Sequence, residues 1–274
     1  MKMRTTIRGK VVDRSLYRFL FLFILVFSCA CQTDKKTPTD DEGTAGILSS
    51  DAIIQKAIEA SGKHKVSDHR ILFEFRDKTY VSEGICGQFK FTRIDTSRQV
   101  KDVFFKDSLQ RKVKGKGVQL ADTTATTIKS AINAVNYFVH LPYRLKDAAV
   151  KAKRLADDTI ADTSYYQLQV KFREKGGGED YQDIYRYWFD KKDFSMDYLA
   201  YKFYTNDGGM RFRVKKAQDT LKEIVFQSYD NLKPRSDSLS FYNISDAYKQ
   251  DRLKKVSEII TRPVSVAPLE QECD

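Results

Sequence analysis

The sequence has no apolar run long enough to cross a bilayer as a helix. Its longest, Phe19–Phe27, holds nine residues, where about 20 are needed. Histidine is scarce: His64, His69 and His140 are the only three, and no His-x-His or His-Glu-x-x-His spacing occurs, so the usual zinc signatures are absent. The four cysteines form no Cys-x-x-Cys pair. There is no Gly-x-Ser-x-Gly elbow and no phosphate-cradling glycine loop. The five prolines, at 38, 142, 234, 263 and 268, fall outside every predicted strand. Isolated basic clusters are missing too. Arg93 and Asp95, Lys101 and Asp102, Lys106 and Asp107 alternate in sign, which argues against a nucleic-acid groove. The formal charge of +11 overstates the domain, because residues 1–28 carry six bases and one acid and leave +6 for the rest.

What is present at the N-terminus reads as an export signal. Lys2, Arg4, Arg8, Lys10, Arg14 and Arg18 precede the apolar run, and Ser28-Cys29 follows it. Val26-Phe27-Ser28-Cys29 resembles a bacterial lipobox, which makes Cys29 the expected lipidation site; Cys31, with Ser28 at its −3 place, fits less well. Acyl chains anchor at about 0.8 kcal/mol per buried methylene. The expected organisation is a signal at 1–28, the lipidated cysteine with a disordered tether at 29–48, one domain at 49–262, and a flexible tail at 263–274. Residues 32–47 are too polar to offset the entropy of ordering. Cys86 reads as a small core residue, and whether it pairs with Cys273 stays open.

Within the domain, Ile53, Ile54, Ala57 and Ile58 predict a helix capped by Ser50 or Asp51 and ended by Gly62. The period then changes to two, with Ile71, Phe73 and Phe75, then Phe89 and Phe91, then Val103 and Phe105. A strong helix follows over 122–139, with Asp122-Thr123 at its cap. Ile128, Ala131, Ile132, Val135, Phe138 and Val139 form its apolar stripe, and Pro142 stops it. Longer strands follow over 166–172, 184–189, 196–204, 210–214 and 221–229, with a short helix near 245–256 and a last strand near 256–261. Hairpins link consecutive strands, which excludes a parallel barrel or a doubly wound sheet. The fold class is α+β: a large curved antiparallel sheet, a half-open β-barrel with a few helices on its concave side.

The blocks Tyr187-Trp-Phe-Asp-Lys-Lys-Asp-Phe-Ser-Met-Asp-Tyr-Leu-Ala-Tyr201 and Asp207-Gly-Gly-Met-Arg-Phe-Arg213 resemble a family of uncharacterised lipoproteins of the Bacteroidota. Residues 141–150 and 174–181 fit the same family, so the resemblance covers about residues 50–260. Some members carry a deoxyribose-phosphate aldolase label. This sequence argues against it, because it lacks the alternating βα pattern of the aldolase barrel. More distantly, the element order is similar to lipoprotein carriers of the LolA/LolB type. That resemblance implies a half-barrel holding an apolar ligand between sheet and helices.

His64 and His69 flank a helix-to-strand loop, and His140 sits where a protonated imidazole would complement a helix C-terminus. The glycines at 176–178 precede Glu179, Asp180 and Asp183, either as a wide hairpin or as a cation loop. The aromatics are the main functional signal, and two readings stand. They are core and solvent-face residues of a curved sheet, or they line a pocket. Pocket candidates are Ile128, Ile132, Val135, Phe138, Tyr187, Phe189, Tyr198, Tyr201 and Phe212. Headgroup candidates are Arg144, Arg211 and Arg213, as arginines beside an aromatic cleft suit a carboxylate or phosphate. No catalytic residue, metal site or cofactor is expected. The expected partners are membrane lipid through acylated Cys29 and an apolar small molecule or lipid, with no nucleic acid. The expected address is the cell envelope at the outer membrane. The rival readings are an envelope hydrolase with an unrecognised site and an interaction lipoprotein without a ligand.

Overall fold

A computed structural model describes residues 47–178, 181–205 and 207–270. The expected signal, Cys29, Cys31, Cys273 and most of the tether lie outside these residues. Leu48, expected at the end of the tether, already packs on the core, and its carbonyl accepts from Arg154 Nη1 at 2.9 Å.

Helix α1 (Ser50–Ala60) is capped by Ser49, one residue before the expected Ser50 or Asp51, its hydroxyl accepting from the Ala52 amide at 3.2 Å. Its stripe of Ile53, Ile54, Ala57 and Ile58 is buried as expected. Gly62 leaves the helix at φ 64°, where a Cβ would lie 1.9 Å from the carbonyl oxygen of Glu223. Only glycine fits that approach.

The first group of strands is β1 (His69–Phe75), β2 (Lys78–Ile85), β3 (Gln88–Asp95), β4 (Val100–Phe105), β5 (Ser108–Val113) and β6 (Lys116–Val118). Helix α2 (Asp122–Val139) follows, with Ala121 rather than Asp122 at its N-cap position and Asp122 in its first turn. The second group is β7 (Val150–Arg154), β8 (Asp158–Ile160), β9 (Thr163–Phe172), β10 (Ile184–Asp190), β11 (Met196–Phe203), β12 (Gly209–Leu221) and β13 (Ile224–Pro234). Helix α3 (Ile244–Lys249), β14 (Leu253–Ile259) and β15 (Thr261–Pro268) complete the order.

These strands form two antiparallel sheets rather than one. The first runs β15-β1-β2-β3-β4-β5-β6 and the second β14-β13-β12-β11-β10-β9-β7, with β8 paired to β9. A single residue, Ile260, separates β14 from β15, so one extended segment leaves the second sheet and enters the first. Buried Thr261 pins this corner, its amide donating to Ser228 Oγ at 3.2 Å. Among the described residues the array does not close: β6 pairs only with β5, and β7 only with β9.

Several expectations are corrected. The tail expected at 263–274 is strand as far as Pro268. Pro263 and Pro268 are tolerated because β15 is an edge strand, and Pro263 faces an irregularity at Leu72/Phe73. The strand expected at 221–229 is broken by a turn at Lys222-Glu223, both at positive φ. The helix expected near 245–256 stops at Lys249. Cys86 is exposed in the β2–β3 turn at φ 47° and is disulfide-bonded; the other three cysteines lie outside the described residues.

Helices α1 and α2 share the inner side of the sheets. Helix α3 does not: Ile244 and Ala247 pack with Trp188, Ala200 and Phe212 on the opposite face of the second sheet.

Candidate functional site

The first sheet's inner face is filled. Ile128 and the fully buried Ile132 pack on Phe91, with Phe89, Phe104, Leu109 and Leu120 around them. Half-buried Val135 packs with Ile71, Phe73 and Tyr80. Against the expectation that this stripe faces an unfilled cavity stands Ile132, which has no exposure. The enclosed space beside the stripe, lined by Lys63, Phe138, Val139, Met196, Phe226 and Tyr229, measures about 10 Å³. That is the limit for one water, far below the hundreds of Å³ of a ligand pocket. An open groove of about 360 Å³ lies between Lys65, His69, Lys222, Glu223, Val266 and Pro268, and it includes none of the expected site residues.

The end of α2 is held by an unforeseen residue. Lys63 is buried, its Nζ donates to the Val139 carbonyl at 2.9 Å, and it sits 4.2 Å from the Phe226 ring centroid. Burial lowers its pKa to about 7. His140, expected to cap this terminus as a cation, is instead fully buried. Its ring stacks on Phe89 and Phe91 at 5.3 and 6.1 Å. Desolvation first, then the charges of Lys63 and Arg144, push its pKa well below the usual value. The imidazole is therefore neutral and packs as an aromatic ring, while the lysine meets the helix carbonyl.

The second sheet's inner face is only partly covered. Alternation along β10, β11 and β12 builds two rows across it. One reads Val170, Tyr185, Tyr201, Arg211, and the next Leu168, Tyr187, Leu199, Arg213. At one end α1 buries the face over Leu168, Phe189 and Met196. At the other, half-buried rings form a connected strip. Phe203 lies 6.0 Å from Tyr201, Tyr201 5.8 Å from Tyr185, Tyr185 5.6 Å from Phe172, and Phe172 5.9 Å from Tyr137. Gly209 opposes Phe203 in the β11–β12 ladder. A Cβ there would lie 2.8 Å from the ring of Phe203, so the glycine gives that ring its place.

Two of the expected arginines meet this strip. The Arg213 guanidinium lies 4.3 Å from the Phe138 centroid and 5.2 Å from that of Tyr201, and its Nη2 donates to the Tyr201 hydroxyl at 3.3 Å. Its Nε is buried without a partner. Arg211 lies over Phe203 at 5.2 Å and donates to the Met210 carbonyl at 2.8 Å. Neither forms an ion pair among the described residues. The acid on the neighbouring strand, Asp197, is taken by Lys215, Ser195 and Tyr165. The fully buried Tyr187 hydroxyl also lacks a partner. Burial raises its pKa well above the ordinary value, and the nearby Arg213 charge opposes that rise.

The other expected residues separate. Arg144 is spent on Asp147, Nε to Oδ2 at 2.7 Å, and stacks on Tyr137 and Phe89. Phe189 is buried under α1. Tyr198 and Phe212 are on the outer face, packed against Tyr248 beneath α3, so they cannot share a ligand with Tyr201. No group of three His, Cys, Asp or Glu able to hold a metal occurs among the described residues, and none of their helices is long and apolar enough to cross a membrane.

No curated protein matches the chain. Among solved structures it is similar to a LolA superfamily protein from Nitrosomonas europaea, at 12% identity over 83% of this chain and 96% of the other, with a TM-score of 0.47. It is similar to a DUF1329 family protein from Desulfovibrio piger at 7% identity over 80% and 92%, TM-score 0.45. It is similar to lipoprotein LppX from Mycobacterium tuberculosis at 10% identity over 58% and 91%, TM-score 0.26. At such identities and scores none of them assigns a ligand to this chain. The sequence pattern of one family matches residues 44–261, and the chain belongs to that family of unknown function, DUF6503.

Proposed function

We propose that this is a lipid-anchored envelope protein whose domain binds an apolar or lipid-like ligand along the inner face of its second sheet. The observation that carries this reading is the connected strip of half-buried rings Phe203, Tyr201, Tyr185 and Phe172 on that face, which α2 meets with Tyr137 at the Phe172 end. Aromatic area left partly in water gains by covering, at roughly 25 cal/mol per Å² of apolar surface. A contiguous, partly uncovered apolar strip of this kind suits a binding surface. The N-terminal sequence supplies the address: a basic segment, an apolar core and Cys29 would place the domain at a membrane surface, where apolar ligands are at hand.

The anchoring is tested with Cys29→Ala. The variant is expected to accumulate as an unlipidated precursor; acylation persisting at Cys31 would move the site. Binding is tested with the whole mature chain, residues 29–274, made without its acyl group. A polyene fatty-acid probe is expected to gain fluorescence on addition of the protein, and Tyr201→Ala to weaken binding about tenfold. A wild-type chain that binds no apolar probe would favour an interaction lipoprotein without a ligand.

A further inference from the structure

We infer that the ligand is an acidic amphiphile whose oxyanion, a carboxylate or phosphate, sits at Arg213 between the hydroxyls of Tyr187 and Tyr201. This rests on the aromatic strip being the ligand's apolar seat and adds the chemistry of its polar end.

Arg213 lies half-buried between Phe138 and Tyr201, and the only hydrogen bond it makes among the described residues goes to the Tyr201 hydroxyl. Its Nε points to no acceptor and is shielded from water. A guanidinium is charged at every physiological pH, and leaving a buried donor unmet costs about 1–3 kcal/mol. Elsewhere in the domain, inward-facing arginines are met by acids. Asp102 takes both Arg93 and Arg111, and Asp147 takes Arg144. The second sheet breaks that pattern at Arg213, and at Arg211 beside it.

Two neighbours make the spot a site and not merely a stray charge. The Tyr187 hydroxyl is wholly buried and without a partner, and Tyr187 stands in one cross-strand row with Arg213, Leu199 lying between them. The Tyr201 hydroxyl accepts from Arg213, which leaves its proton free to donate. An oxygen anion placed among them would accept from the guanidinium and from two phenols, all groups that donate and none that repels. Charge-assisted bonds of this type are the strong ones. From there an alkyl chain would run over Tyr201 and Tyr185 toward Phe172. Arg144 plays no part, since Asp147 already neutralises it.

The test compares a polyene fatty acid with its uncharged methyl ester on the mature wild-type chain at pH 7.5. The acid is expected to bind at least about tenfold more tightly. In Arg213→Met, which keeps an unbranched stem against Phe138, the two should bind alike at the ester's affinity. Displacement of the probe by dodecyl phosphate and by dodecanoate, with dodecanol inert, tells which anion is preferred. Equal affinity of acid and ester on the wild type would overturn the inference while leaving the strip as an apolar site. Failure of both to bind would overturn the strip itself. If Arg213→Met does not fold, the wild-type ratio still decides, and Tyr187→Phe removes one donor without altering the packing.

Discussion

The two inner faces present similar aromatic rows to the same helix, and α2 treats them differently. On the first sheet it lies across Phe91, Phe104 and Leu109 and seals them with Ile128 and Ile132. On the second it touches through two rings at its C-terminal end: Tyr137 meets Phe172 edge-on at 5.9 Å, and Phe138 meets Tyr229 edge-on at 5.4 Å and stacks under Arg213. The arginines follow the same division. The first sheet's inner face satisfies its charges internally: Asp102, almost wholly buried, accepts from Arg93 and Arg111 at 2.7–3.1 Å. Burial opposes its charge, yet the two guanidiniums hold its pKa below the carboxylate value. The second face keeps a guanidinium nitrogen and a phenol unmet. Unmet buried polar atoms occur on the first side too, at Ser82, Asn136 and His140; what sets the second face apart is an arginine without an acid beside half-covered rings, which reads as a place for something else.

Ile132→Ala should separate the two faces most strongly. It empties a site with no exposure and should cost about 2–5 kcal/mol in urea unfolding. Affinity for an apolar probe should be unchanged wherever the variant is folded. A loss of binding without a loss of stability would mean that the ligand lies under α2.

Lys63 gives the next effect. Its pKa is about 7 in the folded chain against 10.5 ordinarily, so between those values the unfolded state binds the extra proton. Stability should therefore rise with pH from about 7 to 10, by a few kcal/mol in all, and stay level below 7. The carbonyl of Val139 and the face of Phe226 favour the charged form and soften this rise. Lys63→Met should flatten it. A midpoint that still climbs across this range in the variant would assign the rise to another group.

The smallest expected change in stability is at the strip. Tyr201→Ala removes a half-buried ring and should cost about 1 kcal/mol in unfolding while weakening probe binding about tenfold. A large stability loss with binding intact would make Tyr201 an ordinary core residue.

Legibility in the sequence follows the same physical lines. Period-two alternation located most strands, and helical spacing located α1 and α2 with their buried faces. Turns were missed where they use residues that do not advertise them. Lys222-Glu223 and Ala161-Asp162 all take positive φ, held there by the ladders on either side. β15 was hidden by Pro263 and Pro268, which only an edge position permits. Lys63 could not be foreseen, since its partner is 76 residues away and a lysine ordinarily signals exposure. For the site, parity was available and only partly used. Phe212 alternates with Arg211 and Arg213, so it could not face the same way, and its place under α3 follows from that. The lack of a carboxylate near Arg213 had no sequence signal, because it depends on which acids Lys215 and the other cations take.

The central claim is that the ligand lies on the second sheet's inner face and not beneath α2. A diazirine-bearing fatty acid, photolysed with the mature chain and located by peptide mass spectrometry, tests it directly. Label competed by unlabelled fatty acid is expected on peptides carrying Tyr201 or Phe203. Label confined to peptides carrying Phe91, Phe104 or Ile132 would contradict it.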